Sequence, residues 1–204
     1  MVNKEIVLKG RFVELRGLIE EDFPQIIKWR NDPEINRFLN QPYQLTLELQ
    51  YKWYQDKYLK SNEILFVIIE QKNFKKIGTI GVNDLNFDNK TGILGRLLIG
   101  EKEYRGSREL IEAMVLIYDF IFNELELNEL YGHCVKENKQ VISFDKKFGF
   151  VPTENTLFPQ YCFVNNMHLV EMVNTKEQYE RTRKSFIALL DYYWNNHIIG
   201  KIRT

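Results

Sequence analysis

The stretch Thr91-Gly92-Ile93-Leu94-Gly95-Arg96-Leu97-Leu98-Ile99-Gly100-Glu101-Lys102-Glu103-Tyr104-Arg105-Gly106-Ser107-Arg108 decides the fold. Thr91–Gly100 is mostly apolar and reads as a strand. Gly92 and Gly95 inside it signal a bulge or a close backbone approach. From Ser107 the period changes. Over Ser107–Asn123, Arg108, Glu112, Asp119 and Asn123 fall on one narrow polar stripe, and nearly everything else is apolar. That pattern belongs to a helix buried against a sheet. Glu129–Lys136 follows as another strand. The three elements make a βαβ crossover, expected to be right-handed with its two strands parallel. At the junction, the free N–H groups and dipole of the helix start form an anion site, to which Arg105 and Arg108 can add charge.

Working outward, Leu8–Arg16 alternates and reads as a half-exposed strand. Ile19–Arg30 has helical period, with Phe23, Ile26, Ile27 and Arg30 on one face, an acidic first turn and Pro24 near its start. Asn31-Asp32-Pro33 stops it. Thr46 can cap a helix over Leu47–Leu59. Ile64–Glu70 and Lys75–Leu85 read as strands, with a turn at Asn86–Lys90. Beyond the crossover, a helix is expected at Gln140–Lys147 and strands near Phe148–Val151 and Gln160–Val173. Thr175 and Gln178 form a capping box for a last helix running to His197. We divide the chain into a domain over 1–174 and a helical extension over 175–204. The extension reads either as a helix packed on the domain or as a dimerisation element.

Composition narrows the function. The chain has 204 residues, 44% hydrophobic, with 28 Lys+Arg against 28 Asp+Glu. This balance gives no global pull toward nucleic acid or anionic lipid. Two cysteines, Cys134 and Cys162, make no disulfide framework. No signal peptide or membrane-length apolar run is read, so the cytoplasm is the expected location. His133, His168 and His197 have no metal-ligand spacing, and no metal is expected. Cys134, on a buried strand, reads as a small core hydrophobe.

Four segments together resemble the GNAT superfamily of acetyl-CoA-dependent N-acetyltransferases. They are Val13-Glu14-Leu15-Arg16 with Glu21-Asp22 and Lys28–Ile35; Lys76–Gly81; Ile99–Glu112 with Tyr104-Arg105-Gly106; and Glu137-Asn138 leading to Lys146–Phe150. They occur in the family's order. The resemblance implies an α/β (mixed α+β) fold: a central, largely antiparallel sheet with two splayed parallel strands, helices on both faces and here an extra C-terminal helix. It implies acetyl-CoA as acyl donor, its pantetheine against Leu98 and Ile99 and its pyrophosphate on Arg105, Gly106, Ser107 and Arg108. Asn138 matches the family's asparagine that contacts the cofactor arm.

Two departures stand out. The family's loop carries glycines where this chain has Arg108 and Leu110. A Cβ at Arg108 crowds a pyrophosphate, and a low cofactor affinity or a shifted arm would follow. Where many members place a tyrosine as general acid, this chain has Asp145. It acts only if burial raises its pKa; otherwise water, Ser143 or Tyr161 serves, or Asp145 is a solvated helix residue. Direct acyl transfer needs a base, for which Asp84, His133 and Glu137 are candidates, and a backbone N–H near Leu98 or Ile99 for the oxyanion.

The stretch Trp29–Phe38 is similar to a sub-group acetylating nucleotide-linked 4-amino sugars. On that reading Trp29 or Tyr43 stacks on a base and Arg30 holds a diphosphate. Trp29 equally suits the core. Relatives acetylating ribosomal-protein N-termini share the stretch less closely, and a non-catalytic scaffold with this fold is a further alternative. A homodimer is a possible assembly.

Overall fold

The computed structural model describes residues 2–39, 41, 43–153, 163–164 and 167–202. Its centre is β3 (Ile64–Glu70), whose unbroken apolar run comes from being covered on both sides. Ile64, Phe66 and Ile68 join one core cluster, while Leu65, Val67 and Ile69 join another. α1 (Phe23–Arg30) and α3 (Leu47–Asp56) pack on the second cluster. α4 (Arg108–Asp119) and α6 (Lys176–Ile202) close the first.

β1 (Val7–Lys9), β2 (Val13–Gly17), β3, β4 (Lys75–Asn86) and β5 (Thr91–Ile99) run antiparallel in order. β6 (Glu129–Val135) then pairs parallel with β5. β9 (Met167–Thr175) lies antiparallel to β6, with β7 (Val151–Pro152) and β8 (Phe163–Val164) paired to β9. The helix α5 (Lys139–Lys147) follows β6. The mixed, largely antiparallel sheet with helices on both faces is as expected.

The single strand expected over Leu8–Arg16 is a hairpin. Gly10 N–H donates to Val13 O at 2.9 Å. The cause lies in α4. The buried Glu112 carboxylate accepts from the amides of Arg11 (2.8 Å), Phe12 (2.6 Å) and Val13 (2.9 Å). A Cβ at Gly10 would stand 2.4 Å from Glu112 Oε2, so glycine is what admits the carboxylate. Glu112, part of the polar stripe, therefore sits in the core as the anchor of this turn.

Other boundaries shift for local reasons. A 3-10 turn over Glu20–Asp22 precedes α1, and α1 buries Phe23, Ile26 and Trp29 in place of the face that included Arg30. Asp22 is fully buried, held by Arg16 at 2.8 Å and Lys76 at 2.6 Å. Burial alone would raise its pKa, but the bonds from Arg16 and Lys76 outweigh it and hold the carboxyl below its ordinary value. Pro33 both stops α1 and opens a short turn, α2 (Pro33–Asn36), capped by Asp32. α3 ends at Asp56, short of Leu59, and a 3-10 turn over Tyr58–Lys60 buries Tyr58. The strand expected from Phe148 starts only at Val151, because Gly149 at φ +104 ends α5. Of the strand expected over Gln160–Val173, residues 160–162 and 165–166 lie outside the described set; the remainder is β8 and β9.

The capping box at the last helix forms: Gln178 N–H donates to Thr175 Oγ1 at 3.2 Å and Thr175 N–H to Gln178 Oε1 at 2.8 Å. Arg183 makes two 2.7 Å bonds to Asp119 of α4, and Tyr179 Oη donates to the same carboxylate at 2.9 Å. Tyr179 and Leu190 enter the core.

Glu112→Ala orphans three amides in a low-dielectric site at about 1–3 kcal/mol each. We expect urea denaturation to show a loss of more than about 3 kcal/mol, with Glu112→Gln intermediate because its amide oxygen still accepts. A loss within error of zero for Glu112→Ala would show that the turn does not need this anchor.

Candidate active site

The site begins where two parallel strands stop pairing. β5 and β6 are in register from Thr91–Glu129 to Leu94–Gly132 and no further, although β5 continues to Ile99 and β6 to Val135. Past that point each strand bonds only its outer neighbour: β5 to β4 through Thr79–Leu98 and Gly78–Ile99, and β6 to β9 through His133–Glu171 to Val135–Leu169. Among the described residues no ladder pair joins the inner edges beyond this point, so the two strands form a fork.

A bulge on β5 opens it. The step from Gly95 to Leu98 is matched on β4 by the shorter step from Gly81 to Thr79. The extra residue turns the strand, and Arg96 takes φ +55. That conformation costs a non-glycine residue about 1–2 kcal/mol. Three contacts offset it: Thr79 Oγ1 donates to Arg96 O at 2.9 Å, the guanidinium bonds Glu63 Oε2 at 2.8 and 3.2 Å, and it lies 4.8 Å over the Trp53 ring. The two glycines pointed to a bulge. The strained residue itself is an arginine, which spacing does not reveal.

At the far end of β5 the chain enters α4. Ser107 caps the helix, its Oγ accepting from Leu110 N–H at 3.2 Å. Gly106 has φ +72, and a Cβ there would meet nothing within 4 Å, so the loop surface is open. The amides of Gly106, Arg108 and Glu109 have no protein acceptor among the described residues. Arg105 is exposed; its backbone N–H donates to Lys102 O at 3.2 Å, and its side chain has no hydrogen bond or ion pair among the described residues. These groups fit a diphosphate. The two residues that replace the loop glycines resolve differently. Leu110 is core, and Arg108 is committed elsewhere, its guanidinium 4.5 Å over Phe12 and 3.0 Å from Glu109. The free charge of the loop is Arg105. Leu98 is buried and Ile99 half-buried along the fork. Asn138 Oδ1 accepts from Val141 N–H at 3.3 Å, capping α5 beside the end of β6.

The acid–base candidates separate onto two faces of β6. His133, the first residue past the last β5–β6 pair, has Nε2 2.8 Å from Glu171 Oε2. Both side chains are buried, at 7% and 1% exposure. Its neighbour Cys134 points the other way, and its Sγ donates to Asp145 Oδ2 at 3.1 Å. Asp145 is buried beneath the strand and is not the solvated helix residue allowed for above. Burial pushes its carboxyl up to about 6, against a smaller lowering by the Cys134 bond. The same burial, with Asp145 second, pushes the Cys134 thiol up, as suits a core thiol. Asp84, at φ +50 on β4, lies in an open cleft of about 250 Å³ with Trp53, Glu63, Asn83 and Arg96. Glu137 and Ser143 are exposed, and Tyr161 and Cys162 lie outside the described residues. Glu171 escaped the sequence reading, because nothing in one chain links it to His133 before the β6–β9 register is known.

The acceptor rim changes as well. Trp29, expected as a stacking surface, is a core residue at 3% exposure. Its Nε1–H donates to Glu101 Oε1 at 3.0 Å, and Gly100 packs on its ring so tightly that a Cβ would lie 2.2 Å away. Tyr43 is exposed, and Arg30 Nε donates to Gln41 Oε1 at 2.7 Å. Burial first, and the Arg96 charge second, pull the Arg30 pKa down, with Tyr43 acting the other way. Arg30, Arg96 and Tyr43 are thus electrostatic neighbours.

Asp145 titrates higher folded than unfolded, so its contribution to stability is full below about pH 4, the unfolded value, and is lost as pH rises through about 6. Asp145→Asn, which keeps an acceptor for Cys134, removes the buried charge. We expect it to be more stable than the parent at pH 8, by up to about 3 kcal/mol, with the gap closing at pH 4.5 in urea titrations. Equal gaps at both pH values would contradict the assigned burial of this carboxylate.

The family model of the acetyltransferase (GNAT) domain matches residues 13–151. A curated relative, an uncharacterized protein of Methanocaldococcus jannaschii, is 25% identical over 157 residues, 75% of this chain and 31% of that protein. The chain thus spans about a third of the length of the curated relative it matches. Among solved structures, spermidine N-acetyltransferase from Vibrio cholerae in complex with CoA and spermine aligns at TM-score 0.71 and 20% identity, covering 83% of this chain and 99% of that one. FdhC, a nucleotide-linked sugar GNAT, aligns in its apo form at TM-score 0.72 and 20% identity, covering 91% and 99%. These structural likenesses establish the fold. Because the family model covers well over half of its residues, the chain belongs to the GNAT acetyltransferase domain family.

Proposed function

We propose that this protein is an acetyl-CoA-dependent N-acetyltransferase acting on the primary amine of a small molecule. The observation that carries the proposal is the end of β5–β6 pairing at Leu94–Gly132 while both strands run on. Acetyl-CoA supplies an activated acyl group as a thioester. The protein's part is positional and electrostatic. Backbone groups of Leu98 and Ile99 pair with the amides of the cofactor arm, and one N–H from this edge faces the developing oxyanion. Arg105 and the open amides at the start of α4 take the diphosphate. His133, at the fork, takes the amine proton. Asp145, its carboxyl raised to about 6, is part-protonated near neutrality and is the nearest counterpart to the family's tyrosine.

For the acceptor we favour a nucleotide-linked amino sugar. Arg30 suits its phosphates and the exposed Tyr43 suits its base. The fold likeness to a nucleotide-linked sugar GNAT is compatible with this, and the likeness to a spermidine N-acetyltransferase makes polyamines the comparison to run. An N-terminal protein amine is the remaining acceptor class. Arg108 and Leu110 in place of loop glycines favour the second reading, a non-catalytic member that keeps the fold. The helical extension over 175–204, a cytoplasmic site of action and a homodimer belong to this proposal too. Among the described residues no helix is long and apolar enough to cross a membrane.

Calorimetry with acetyl-CoA followed by thiol release on adding an amine separates enzyme from scaffold. Binding with thiol release is expected; no binding at millimolar acetyl-CoA would leave the scaffold reading. Arg105→Ala removes a charge-assisted phosphate contact worth about 1.5–3 kcal/mol, and acetyl-CoA affinity should fall roughly 10- to 100-fold. Unchanged affinity would place the phosphates elsewhere.

A further inference from the structure

Two opposed bulges meet at the open cleft of about 250 Å³ that Trp53, Glu63, Asn83, Asp84 and Arg96 line. β5 has one extra residue between Gly95 and Leu98, and β4 has one between Asn83 and Asn86. Each bulge puts a non-glycine residue in the left-handed region, Arg96 at φ +55 and Asp84 at φ +50, and both stand on the cleft wall. Bulges re-aim side chains beside functional sites, and backbone held in a sparsely populated region points the same way.

Asn83 stands between the two bulges. Its side chain lies over Gly95, where a Cβ would be 2.8 Å from Asn83 Oδ1. Gly95 is the first residue of β5 past the last β5–β6 pair, so Oδ1 borders the mouth of the fork. The orientation of the amide follows from its other neighbour. An ionised Asp84 only accepts, and its Oδ2 is 3.5 Å from Asn83 Nδ2, so the NH2 turns to Asp84 and the oxygen to Gly95. Asn83 is half-buried, and its Oδ1 accepts no hydrogen bond among the described residues. The cleft thus offers an acceptor oxygen where an amine must stand to attack a thioester held in the fork.

The walls decide what fits. Lys57 and Arg96 face Glu63 and Asp84, and Arg96 is bonded to Glu63 at 2.8 Å, so the charges of the cleft balance. A polyamine, with several cationic centres, gains no net attraction from such a cleft. An indole edge beside amide side chains suits a ring that carries both apolar and hydroxyl edges. The volume lies below the range of about 300–1,000 Å³ usual for drug-sized ligands, so the cleft takes one ring and no nucleotide. Arg30 is the electrostatic neighbour of Arg96. Its Nε donates to Gln41 Oε1, and no carboxylate meets it among the described residues. The two guanidinium groups therefore share one carboxylate, Glu63, and a phosphate at Arg30 supplies the missing anion.

We propose that this cleft is the acceptor-ring subsite and that Asn83 Oδ1 accepts a hydrogen bond from the acceptor's amine. The substrate class that follows is a single hydroxylated, amine-bearing ring whose phosphate reaches Arg30. This rests on the acetyltransferase reading of the fork and deepens it. By taking one N–H, Asn83 fixes the nitrogen beside the β5 bulge and leaves its lone pair free to face the thioester carbon. Lys57, with no bond to another side chain among the described residues, keeps the cleft from turning acidic and so acts against cationic acceptors.

The test uses the full chain with Asn83→Leu, Asn83→Asp and Lys57→Glu. Acetyl-CoA affinity is measured by calorimetry, and thiol release is followed with a UDP-linked 4-amino sugar and with spermidine as probes. The parent should turn over the amino sugar with the higher kcat/KM. In Asn83→Leu, of nearly the same size but without an acceptor, acetyl-CoA affinity should be unchanged and kcat/KM for the amino sugar should fall roughly 10- to 100-fold. Asn83→Asp, which keeps an acceptor oxygen, should restore part of that loss. Lys57→Glu should raise the spermidine-to-amino-sugar ratio of kcat/KM several-fold. An Asn83→Leu protein that binds acetyl-CoA and turns over the amino sugar within twofold of the parent would overturn the subsite and leave the acetyltransferase reading standing. A parent that prefers spermidine would overturn the substrate class. Absence of acetyl-CoA binding in the parent would remove the acetyltransferase reading, and the subsite with it.

Discussion

The protein depends on one register error. A single extra residue in β5 between Gly95 and Leu98 tilts the strand out of line with β6, and the sheet parts. Sheets resist this, because each unpaired peptide group forgoes a hydrogen bond of roughly 1 kcal/mol net. The fork persists because its two arms are tied elsewhere. β5 keeps β4, and the bulge in β5 is clamped by Thr79 and by the Glu63–Arg96–Trp53 stack. β6 keeps β9 over its whole length. A binding edge is thus made from strands that are individually satisfied on one side and open on the other.

Each feature around the fork follows from that geometry. The crossover helix α4 must start at the open end of β5, so its bare amides face the same opening as the strand edges. Gly100 lets the chain leave β5 flush against Trp29, which fixes the loop from which Arg105 projects. Glu112 then ties the middle of α4 to the first hairpin, so the helix cannot shift without breaking three bonds. On the other side of β6, α5 brings Asp145 under Cys134. Alternation along β6 assigns one face to the thiol–carboxyl contact and the other to His133 and Glu171.

Much of this was legible in one sequence. Periodicity located β3, β5 and β6 within a residue or two, since each is strongly patterned; α4 began as expected but ends at Asp119, where a π-helical turn over Phe120–Glu124 replaces its last stretch. The parallel pair followed from the crossover rule. Local chemistry located the caps at Thr46 and Thr175, each with a side-chain oxygen at the right offset; Ser107, read as the first residue of α4, turned out to be its cap. What escaped depends on contacts between distant residues. Leu8–Arg16 looks like one strand until a carboxylate about a hundred positions away claims its amides. Trp29 looks equally suited to surface and core until Gly100 is placed on its ring. Asp145 reads as solvated because the residue that buries it lies on a neighbouring strand. Glu171 lacks a local signal altogether: a lone glutamate in an apolar strand acquires meaning only through register.

The central claim is that the inner edges of β5 and β6 are open and take up the cofactor arm. Residue-resolved amide hydrogen exchange, with and without acetyl-CoA, tests it directly. Without it, inner-edge amides within Gly95–Ile99 and His133–Val135 should exchange much faster than those of Thr91–Leu94. With it, protection should rise at the fork and at Gly106–Glu109, and nowhere else in the sheet. Uniform slow exchange along both strands, or no change on adding acetyl-CoA, would mean that the fork is closed or does not hold the arm.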